Sequence, residues 1–599
     1  MQGQETGVRL DRVGDVAILV MAHPPVNALS DQVRRALADG LRAAQGDPDT
    51  VAVILRGEGK CFSAGADISE FGKGKPVLRL GDLCQMIENC RVPVIAALHG
   101  VALGGGMEMA LAAHYRIAGA GATMGLPEVN LGLLPGAGGT QRLPRLVGAT
   151  EALRMMLGGG AIGSSEALAL GLVDRVVETG LTEAAVEMAL EGLAPRRTGD
   201  VRTGFNDMVG YQAAIRAARL AQKGNRLPAP SRIIDCVEAA AVFTLQQGLD
   251  AEAAAFGDLV ATPVAVGLRH AFFAERRAGL APAAVAAKGV AQVTTLGILG
   301  TDDQATDLAF QVLTAGMRVV LSGQDRDTLV MALERIALLQ EQAVVAGTLT
   351  EDARDADWAR ILTSLSTEAL AVVDLLVTSG DVAELPDGID GLTLAGLGVA
   401  HEEGHQVAIT VPPGPGGMAE LSMTETSPPE AVARVLALAR RLGWRVVFCG
   451  PGGPVELGLR QALAGAVAYL EAEGTARAEI AAALSAYGIG AGASSFLPQM
   501  PHGGARLVAC CLSALAAEGA RMLHRGQVRR PLEIDAVALL SGLMPRWTGG
   551  PMFQADQRGM LVFRRDLLAL AEQSSLFMPA ELVDDLIADA QSFASLNTR

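Results

Sequence analysis

Strand-like and helix-like segments alternate through the first 180 residues of the chain. Short apolar runs predict strands at Val16–Met21, Val51–Arg56 and Val92–Leu98. Between them, apolar residues at helical spacing predict a helix over Gln32–Ala44, which begins after Ser30-Asp31, a favourable N-cap. This rhythm of strand, helix and strand is typical of an α/β domain.

The pattern changes after residue 180. Over 181–288 the strand signals vanish, and stretches rich in Ala, Leu and Glu predict a helical linker. The alternation then returns, with predicted strands at Thr295–Leu299 and Val319–Leu321 around a helix over Ala305–Ala315. A second α/β domain is therefore predicted after the linker.

The last third of the chain is predicted to be helical. From about Pro429 the pattern is nearly all helical, and the loop Ser494–Gly504 divides it into two blocks. The boundaries that these changes predict are an α/β domain at 1–180, a helical linker at 181–288, a second α/β domain at 289–428, and two helical domains at 429–500 and 501–599.

Charge and cysteine content narrow the class of protein. The 599 residues carry a formal net charge of −16 at pH 7, and a net-acidic chain repels nucleic acid and anionic membranes at long range. We therefore expect neither as a partner, although a local basic pocket can still bind a polyanionic small molecule. The seven cysteines include no CxxC pair, which argues against a metal cluster or a disulfide framework. They fit a reducing compartment, and we expect a cytoplasmic protein without a bound metal.

Two glutamates lie in apolar, glycine-rich segments of the first domain. Segment His99–Glu108 has the pattern of a strand, a glycine run and the first turn of a helix. The unpaired N–H groups and the dipole of such a helix would make an anion or oxyanion site beside Glu108. Burial should raise the pKa of Glu108. Glu128 is a second acid in similar surroundings, and two such carboxylates can divide general acid and general base work.

A structural interpretation of the same features is open at this point. A glutamate in the first helical turn often only complements the helix dipole, and three successive glycines often mark a turn.

Four segments of the first domain resemble the crotonase (enoyl-CoA hydratase/isomerase) family. They are Ala64–Ile68 (AGADI), Ala102–Glu108 (ALGGGME), Pro127–Gly148 (PEVNLGLLPGAGGTQRLPRLVG) and Ala167–Val177 (ALALGLVDRVV). The resemblance extends over about residues 8–180 and implies the ββα spiral fold of that family.

The resemblance implies a role for both acids and for two backbone amides. The N–H groups of Ala66 and Gly105 would form the oxyanion hole for a thioester carbonyl. Glu108 would deprotonate a water that adds at the β-carbon, and Glu128 would donate a proton at the α-carbon. Fixed donors aimed at the enolate-like oxygen supply about 3–4 kcal/mol each when judged by deletion. Because both acids are present, hydration is favoured over isomerisation alone.

The same resemblance implies a coenzyme A thioester as the substrate and no resident cofactor. The backbone that would bind the adenine of CoA is that of Ala64, Asp67 and Ile68. Four basic residues are candidate partners for the CoA phosphates, with solvated surface charge as the alternative interpretation: Lys73, Lys75, Arg142 and Arg145.

Further segments resemble the multifunctional enzymes of β-oxidation, namely the peroxisomal type 1 enzyme and the bacterial fatty-acid-oxidation α subunit. These segments are Asn225–Ala278, Leu512–Leu523 (LSALAAEGARML), Asp535–Trp547 (DAVALLSGLMPRW) and Gly549–Gly559 (GGPMFQADQRG). In that family the crotonase part is followed by an NAD-dependent 3-hydroxyacyl-CoA dehydrogenase. The resemblance thus spans almost the whole chain.

The dinucleotide fingerprint of such a dehydrogenase is degraded in this sequence. The motif G-x-G-x-x-G lets a pyrophosphate reach the backbone, but only the first glycine remains in Gly300–Ala305 (GTDDQA). Asp302 stands at the second glycine position, where its charge would repel a phosphate 4 Å away by roughly 4 kcal/mol at an effective dielectric near 20. Gly323 stands where an acid would hold the adenine ribose, and Asp325 is more readily a cap. We therefore expect a Rossmann-like domain that does not bind NAD.

The residues for hydride transfer are also missing. No His followed by two aromatics and Pro is found, and His401 and His405 are the closest candidates. Gly453–Leu457 replaces the expected Phe-Ile-Asn-Arg segment. The sequence and the resemblance therefore predict an enoyl-CoA hydratase, with Δ3-Δ2 isomerase as a second activity and a chemically silent dehydrogenase half. Fatty-acid β-oxidation is the pathway that the resemblance implies.

Three alternatives remain at this stage: a bifunctional hydratase and NAD-dependent 3-hydroxyacyl-CoA dehydrogenase, an isomerase-only crotonase, and a non-catalytic CoA-binding scaffold. Isolated crotonases trimerise, whereas the fused family covers the site with its linker helix. A monomer is accordingly expected rather than a trimer.

Overall fold

The computed structural model describes residues 7–71, 74, 76–289, 292–380, 394–397, 406–490 and 494–598. The chain divides into two compact units, Met1–Arg269 and His270–Arg599. The described residues of the first unit form two sheets and those of the second unit one sheet, and each unit has buried apolar clusters.

The first unit contains a six-stranded sheet and a three-stranded sheet. Its strands are β1 (Val8–Val13), β2 (Val16–Met21), β3 (Ala52–Gly57), β4 (Val94–Leu98), β5 (Val101–Leu103), β6 (Tyr115–Gly119), β7 (Thr123–Gly125), β8 (Ala161–Gly163) and β9 (Arg175–Val177). The larger sheet has the order β1-β2-β3-β4-β6-β9, in which only β1 runs antiparallel to its neighbour. The smaller sheet has the order β5-β7-β8. The strands predicted around β2, β3 and β4 are confirmed.

Among the described residues, nine α-helices lie within the first unit, and a tenth crosses its end at Arg269. They are α1 (Asp31–Gly46), α2 (Leu80–Glu88), α3 (Gly105–Ala112), α4 (Gly139–Gly158), α5 (Ser164–Ala169), α6 (Leu181–Ala189), α7 (Met208–Ala221), α8 (Pro228–Val242), α9 (Leu245–Val260) and α10 (Pro263–Ala278). Ser30 caps α1 as predicted, because its side chain accepts a hydrogen bond from Val33 N at 3.4 Å. Every residue of α3 is buried, so this helix lies inside the core.

The predicted linker is helical, but part of it belongs to the core of the first unit. Ile233 and Val237 of α8 and Leu259 of α9 are buried in the same apolar cluster as the strands and helices before residue 180. Compact packing therefore continues to Arg269, where the first unit ends. The division of this unit at residue 180 stays a prediction.

The second unit has an eight-stranded sheet. Its strands are β10 (Thr295–Leu299), β11 (Arg318–Ser322), β12 (Ile361–Ser364), β13 (Leu375–Thr378), β14 (Leu394–Leu397), β15 (Val407–Ile409), β16 (Met418–Ser422) and β17 (Arg445–Cys449). They lie in the order β12-β11-β10-β13-β14-β15-β16-β17, and the first six are parallel. Counted along the chain, these six have the order 3-2-1-4-5-6 of a Rossmann sheet. The Rossmann-like architecture predicted from the sequence is therefore present.

The remaining helices follow in the same unit: α11 (Ala283–Ala286), α12 (Asp303–Thr314), α13 (Arg326–Val345), α14 (Glu351–Trp358), α15 (Pro429–Arg441), α16 (Val455–Ala472), α17 (Arg477–Tyr487), α18 (Gly504–His524), α19 (Pro531–Leu540), α20 (Pro551–Arg558), α21 (Met560–Ala571) and α22 (Glu581–Ala588). By length and composition α18 could cross a membrane, as could α9 and α10 if their 73° bend were one broken span. The apolar window of α18 is 72% buried inside the protein, as in the core helix of a globular domain.

The predicted boundary at residue 429 was wrong. The sheet continues beyond it, because α15 leads into β17, which pairs in parallel with β16. The described residues after Val455 contain helices and no further strand. The all-helical region therefore begins at α16 rather than at α15.

Candidate active site

Gly104 brings the two predicted acids to one place. It lies between β5 and α3 with φ near +52°, a conformation that favours glycine. A Cβ at this position would lie 2.9 Å from Glu128 Oε1, so a side chain would push that carboxyl away. Glu108 N donates to Gly104 O at 2.9 Å, which places the first turn of α3 on the same glycine. The Glu128 carboxyl and the first turn of α3, which carries Glu108, thus meet at Gly104.

Glu108 is a buried acid with one oxygen already occupied. Its side chain is on α3 and the residue is only 3% exposed. Oε1 accepts hydrogen bonds from Ala137 N at 2.7 Å and from Gly139 N at 2.9 Å. Burial raises the pKa of Glu108 to about 6, against the lowering effect of these two amides and of the Arg142 charge. The direction predicted from the sequence is confirmed, and at neutral pH the carboxyl is mostly ionised.

Glu128 lies in surroundings that disfavour its charged form. It begins a 3-10 helix, Glu128–Leu131, and its Oε2 atom is buried without a hydrogen-bond partner among the described residues. Burial first, and then the negative charges of Glu108 and Glu252, raise its pKa well above the usual range. The protonated form of Glu128 is therefore favoured, beside a Glu108 whose pKa is raised to about 6.

The two predicted oxyanion donors lie side by side. A Cβ added at Gly105 would lie 3.1 Å from Ala66 N, so the two backbones are in close contact. Ser63 holds the loop before Ala66, since its Oγ accepts from Gly65 N at 3.1 Å and donates to Asn27 O at 2.8 Å. Within the described part of the chain, neither Ala66 N nor Gly105 N has a hydrogen-bond acceptor. Both N–H groups are available to a ligand.

The segment predicted to bind CoA offers its main chain. Asp67 caps the 3-10 helix Ile68–Glu70, and its side chain accepts from Ser69 N at 2.9 Å. Its carboxylate is therefore used locally. Ala64 is exposed, and its N–H donates to Val26 O at 3.0 Å.

Both interpretations of Arg142 and Arg145, as phosphate partners or as surface charges, were wrong. Each residue is 0% exposed. Arg142 forms an ion pair of 2.7 Å with the buried Glu88, and Arg145 donates to Gly199 O at 3.1 Å. The two cations hold the core of the first unit together and cannot reach a CoA phosphate. Lys73 and Lys75 lie outside the described residues.

Glu252 is a further buried acid near the candidate site, and it was not predicted from the sequence. Glu252 lies on α9 and is 1% exposed. It accepts from Gly138 N at 2.6 Å and from Thr140 N at 3.0 Å, and burial raises its pKa to about 8. A single acid in the Ala-rich stretch Ala251–Ala255 (AEAAA) was the signal, but nothing local connects it to residues 138–140.

The Rossmann crevice of the second unit is occupied by a side chain of the protein. Asp302 is the N-cap of α12, where it accepts from Ala305 N at 2.9 Å. Ser379, which follows β13, donates to the Asp302 carboxylate at 2.7 and 2.6 Å. This point lies between β10 and β13, where the strand order reverses and a Rossmann fold would bind a pyrophosphate. The Asp302 carboxylate therefore lies at the helix N-terminus, where a pyrophosphate would need free N–H groups.

The other predicted features of this unit are local caps or lie outside the described residues. Asp325 caps α13 by accepting from Thr328 N at 2.9 Å, so it has the cap role that the sequence favoured. His401 and His405 lie outside the described residues. Among the residues that the structure describes, no cluster of three or more His, Cys, Asp or Glu side chains could hold a metal ion.

Comparison with known proteins gives similarity to one family. Residues 11–199 match the family described as enoyl-CoA hydratase/isomerase. The peroxisomal bifunctional enzyme of Danio rerio is 41% identical over 276 residues, which are 44% of this chain and 37% of that protein. The fatty acid oxidation complex subunit alpha of Shewanella putrefaciens is 41% identical over 280 residues, 43% of this chain and 40% of that protein. Each match therefore spans less than half of the relative.

A solved structure is also similar to part of the chain. The structure of an enoyl-CoA hydratase subunit I from Geobacillus kaustophilus is 31% identical and has a TM-score of 0.30. The match covers 45% of this chain and 95% of that one.

Proposed function

We propose that this chain, whose residues 11–199 form a domain of the enoyl-CoA hydratase/isomerase family, adds water to a trans-2-enoyl-CoA to give a 3-hydroxyacyl-CoA. The observation that carries the proposal is geometric: the buried Glu108, with Oε1 bound by two amides, and Glu128, whose buried Oε2 has no hydrogen-bond partner among the described residues, lie near two unpaired N–H groups. Burial raises the pKa of both acids. Such a pair divides the work of base and acid.

The proposed mechanism assigns one bond change to each group. Because both amides bind Oε1 of Glu108, the other oxygen, Oε2, is left to accept a proton from water. The water oxygen then bonds to the β-carbon, and the double-bond electrons move onto the thioester oxygen. Ala66 N and Gly105 N donate to that oxygen as charge develops on it. Glu128 gives its proton to the α-carbon, and the proton held by Glu108 returns to Glu128 before the next turnover.

Coenzyme A enters this proposal as part of the substrate, and no resident cofactor is required for hydration. The main chain of Ala64, Asp67 and Ile68 would bind the adenine. Isomerisation of a 3-enoyl-CoA is a second candidate. It would need the ionised form of Glu128, whose Oε2 has no hydrogen-bond partner among the described residues and could take a proton from one carbon and return it to another.

We further propose that the Rossmann-like half does not use NAD. The support is the Asp302 carboxylate, which takes the helix N-terminus that a pyrophosphate would need. Thermal melts with and without NAD or NADH test this point, since a ligand at 100 times its Kd stabilises a protein by about 2.7 kcal/mol. We expect no rise in Tm, and a clear rise with either nucleotide would overturn this part. We also propose a monomer, which light scattering of the full chain tests directly.

The loss of enoyl absorbance from a trans-2-enoyl-CoA tests the hydratase directly. We expect hydration by the unmodified protein and its loss in Glu108→Ala and Glu128→Ala. Incubating the same proteins with a 3-enoyl-CoA measures the isomerase. Hydration that survives the loss of both carboxylates would remove the proposed mechanism.

A further inference from the structure

Four successive backbone amides are shared alternately between two carboxylates. Ala137 N and Gly139 N donate to Glu108, at 2.7 and 2.9 Å. Gly138 N and Thr140 N donate to Glu252, at 2.6 and 3.0 Å. The backbone segment 137–140 therefore lies between Glu108, the proposed base, and Glu252, and it is hydrogen-bonded to both carboxyl groups.

Gly138 allows this arrangement of the backbone. It has φ near +106°, a conformation that other residues rarely adopt, and it precedes the first residue of α4. A Cβ at Gly139 would lie 3.0 Å from Glu108 Oε1. The Glu108 carboxylate can therefore approach the backbone here because position 139 has no side chain.

Glu252 also makes close contacts with residues 138–141. Thr140 Oγ also donates to Glu252, at 2.5 Å, and in turn accepts from Gln141 Nε2 at 3.0 Å. Gly248 lies one turn before Glu252 on the same face of α9, and a Cβ there would lie 2.0 Å from Gln141 Oε1. Helix α9 therefore approaches residues 137–141 closely only because position 248 is glycine.

Resting on the proposed hydratase function, we propose that Glu252 is a positioning residue: it holds alternate amides of residues 137–140 so that the other two fix the Glu108 carboxylate. If Glu252 lost these bonds, Gly138 N and Thr140 N would be buried donors without an acceptor. The segment would relax, and with it the two amides that orient Glu108. Misplacement of a catalytic group by about 1 Å costs on the order of a hundredfold in rate.

Several titratable groups surround Glu252, and they decide how its variants are interpreted. The charged and thiol groups that act on it or feel its charge are Glu108, Glu128, Arg142, Cys84 and Cys236. The pKa of Glu252 is about 8, so near pH 6 its carboxyl is neutral. Glu252→Gln therefore changes hydrogen bonding without changing charge in that range. The Gln amide can accept from one N–H, but its own NH2 would face the other.

The test compares Glu252→Gln with Asp258→Asn, an exposed acid of the same helix whose side chain is 71% exposed. For Glu252→Gln we expect kcat for hydration to fall by roughly tenfold, with KM changed by less than about twofold. The two amides lower the pKa of Glu108, so loosening them raises it. The acid limb of the kcat profile should therefore move to higher pH, by about half a unit. Asp258→Asn should match the unmodified protein.

A second variant covers the case in which Glu252→Gln does not fold. Thr140→Val keeps the amide but removes the hydroxyl bond to Glu252, and we expect a smaller shift of the acid limb in the same direction. Folded variants with unchanged kcat and an unchanged acid limb would overturn the proposal while leaving the hydratase function intact. Failure of the unmodified protein to hydrate an enoyl-CoA would overturn both.

Discussion

The two units treat a strand-to-helix turn in opposite ways. In the first unit, β5 leads through Gly104 into α3, and the N–H of Gly105 at the helix start has no acceptor among the described residues. In the second unit, β10 leads through Gly300 to Asp302, whose carboxylate caps α12 and is itself bound by Ser379. Both turns run from a strand through a glycine to a helix. The turn in the first unit is a candidate binding site, because its Gly105 N–H donor has no acceptor in the described part of the chain. The turn in the second unit is capped, because a side chain of the protein accepts from the helix N-terminus.

The largest expected effect is the loss of hydration when either Glu108 or Glu128 of the first unit is replaced by a neutral residue. Glu108→Gln and Glu128→Gln should each lower kcat for hydration by about 10²–10⁴, because each removes one proton-transfer group. The exposed Glu183→Gln is the matched control and should retain full activity. Loss of enoyl absorbance measures all three proteins. Full activity in Glu108→Gln or Glu128→Gln would show that other residues of the first unit carry out the hydration.

The next largest effect concerns the ion pair within the first unit. Glu88→Gln leaves the buried Arg142 without its partner at 2.7 Å, and it should lower the free energy of unfolding by about 3–5 kcal/mol. Glu151→Gln breaks an exposed pair with Arg154 and should cost less than about 1 kcal/mol. Denaturant unfolding measures both values. Equal costs would mean that Arg142 finds another partner.

A smaller effect is expected from pH. The pKa of Glu108 is raised to about 6, and a base must be ionised to act. As pH falls below about 6, kcat for hydration should fall roughly tenfold per unit, because the ionised fraction falls in that ratio. A kcat that stays constant to pH 5 would mean that Glu108 titrates lower than its burial implies.

The cap of the second unit gives the smallest effect. Asp302→Ala should cost about 1 kcal/mol of unfolding free energy and leave hydration unchanged. Asp325→Ala removes a comparable cap from α13, but that carboxylate has no bond to Ser379. The Asp302 variant should therefore be the less stable of the two. A loss of hydration in Asp302→Ala would contradict a catalytically silent cap.

Local patterns in the sequence predicted local structure well. The strands β2 and β10 begin and end at the predicted residues, and Ser30 caps α1, because each depends on a short run of neighbouring residues. Two acids in apolar, glycine-rich segments suggested that Glu108 and Glu128 work together, and the family resemblance gave each a role. Their approach depends on the backbone conformation of Gly104, which the sequence pattern does not give. The cytoplasmic location stays a prediction.

What the sequence missed depends on contacts between distant segments. Strand β17 is a short apolar run between two helical patterns, and periodicity alone does not separate such a run from a buried helix. Arg142 is buried because Glu88, far away in sequence, pairs with it. The role of Glu252 was missed for the same reason, because its carboxylate meets Gly138 N only once α9 has packed on α4.

The central claim is that the first unit hydrates and the second does not oxidise the product. One measurement tests it: the full chain is given a trans-2-enoyl-CoA, with and without NAD, and enoyl absorbance and NADH are followed together. We predict the same rate of enoyl loss in both samples and no NADH. Formation of NADH, or no loss of enoyl absorbance, would contradict the account.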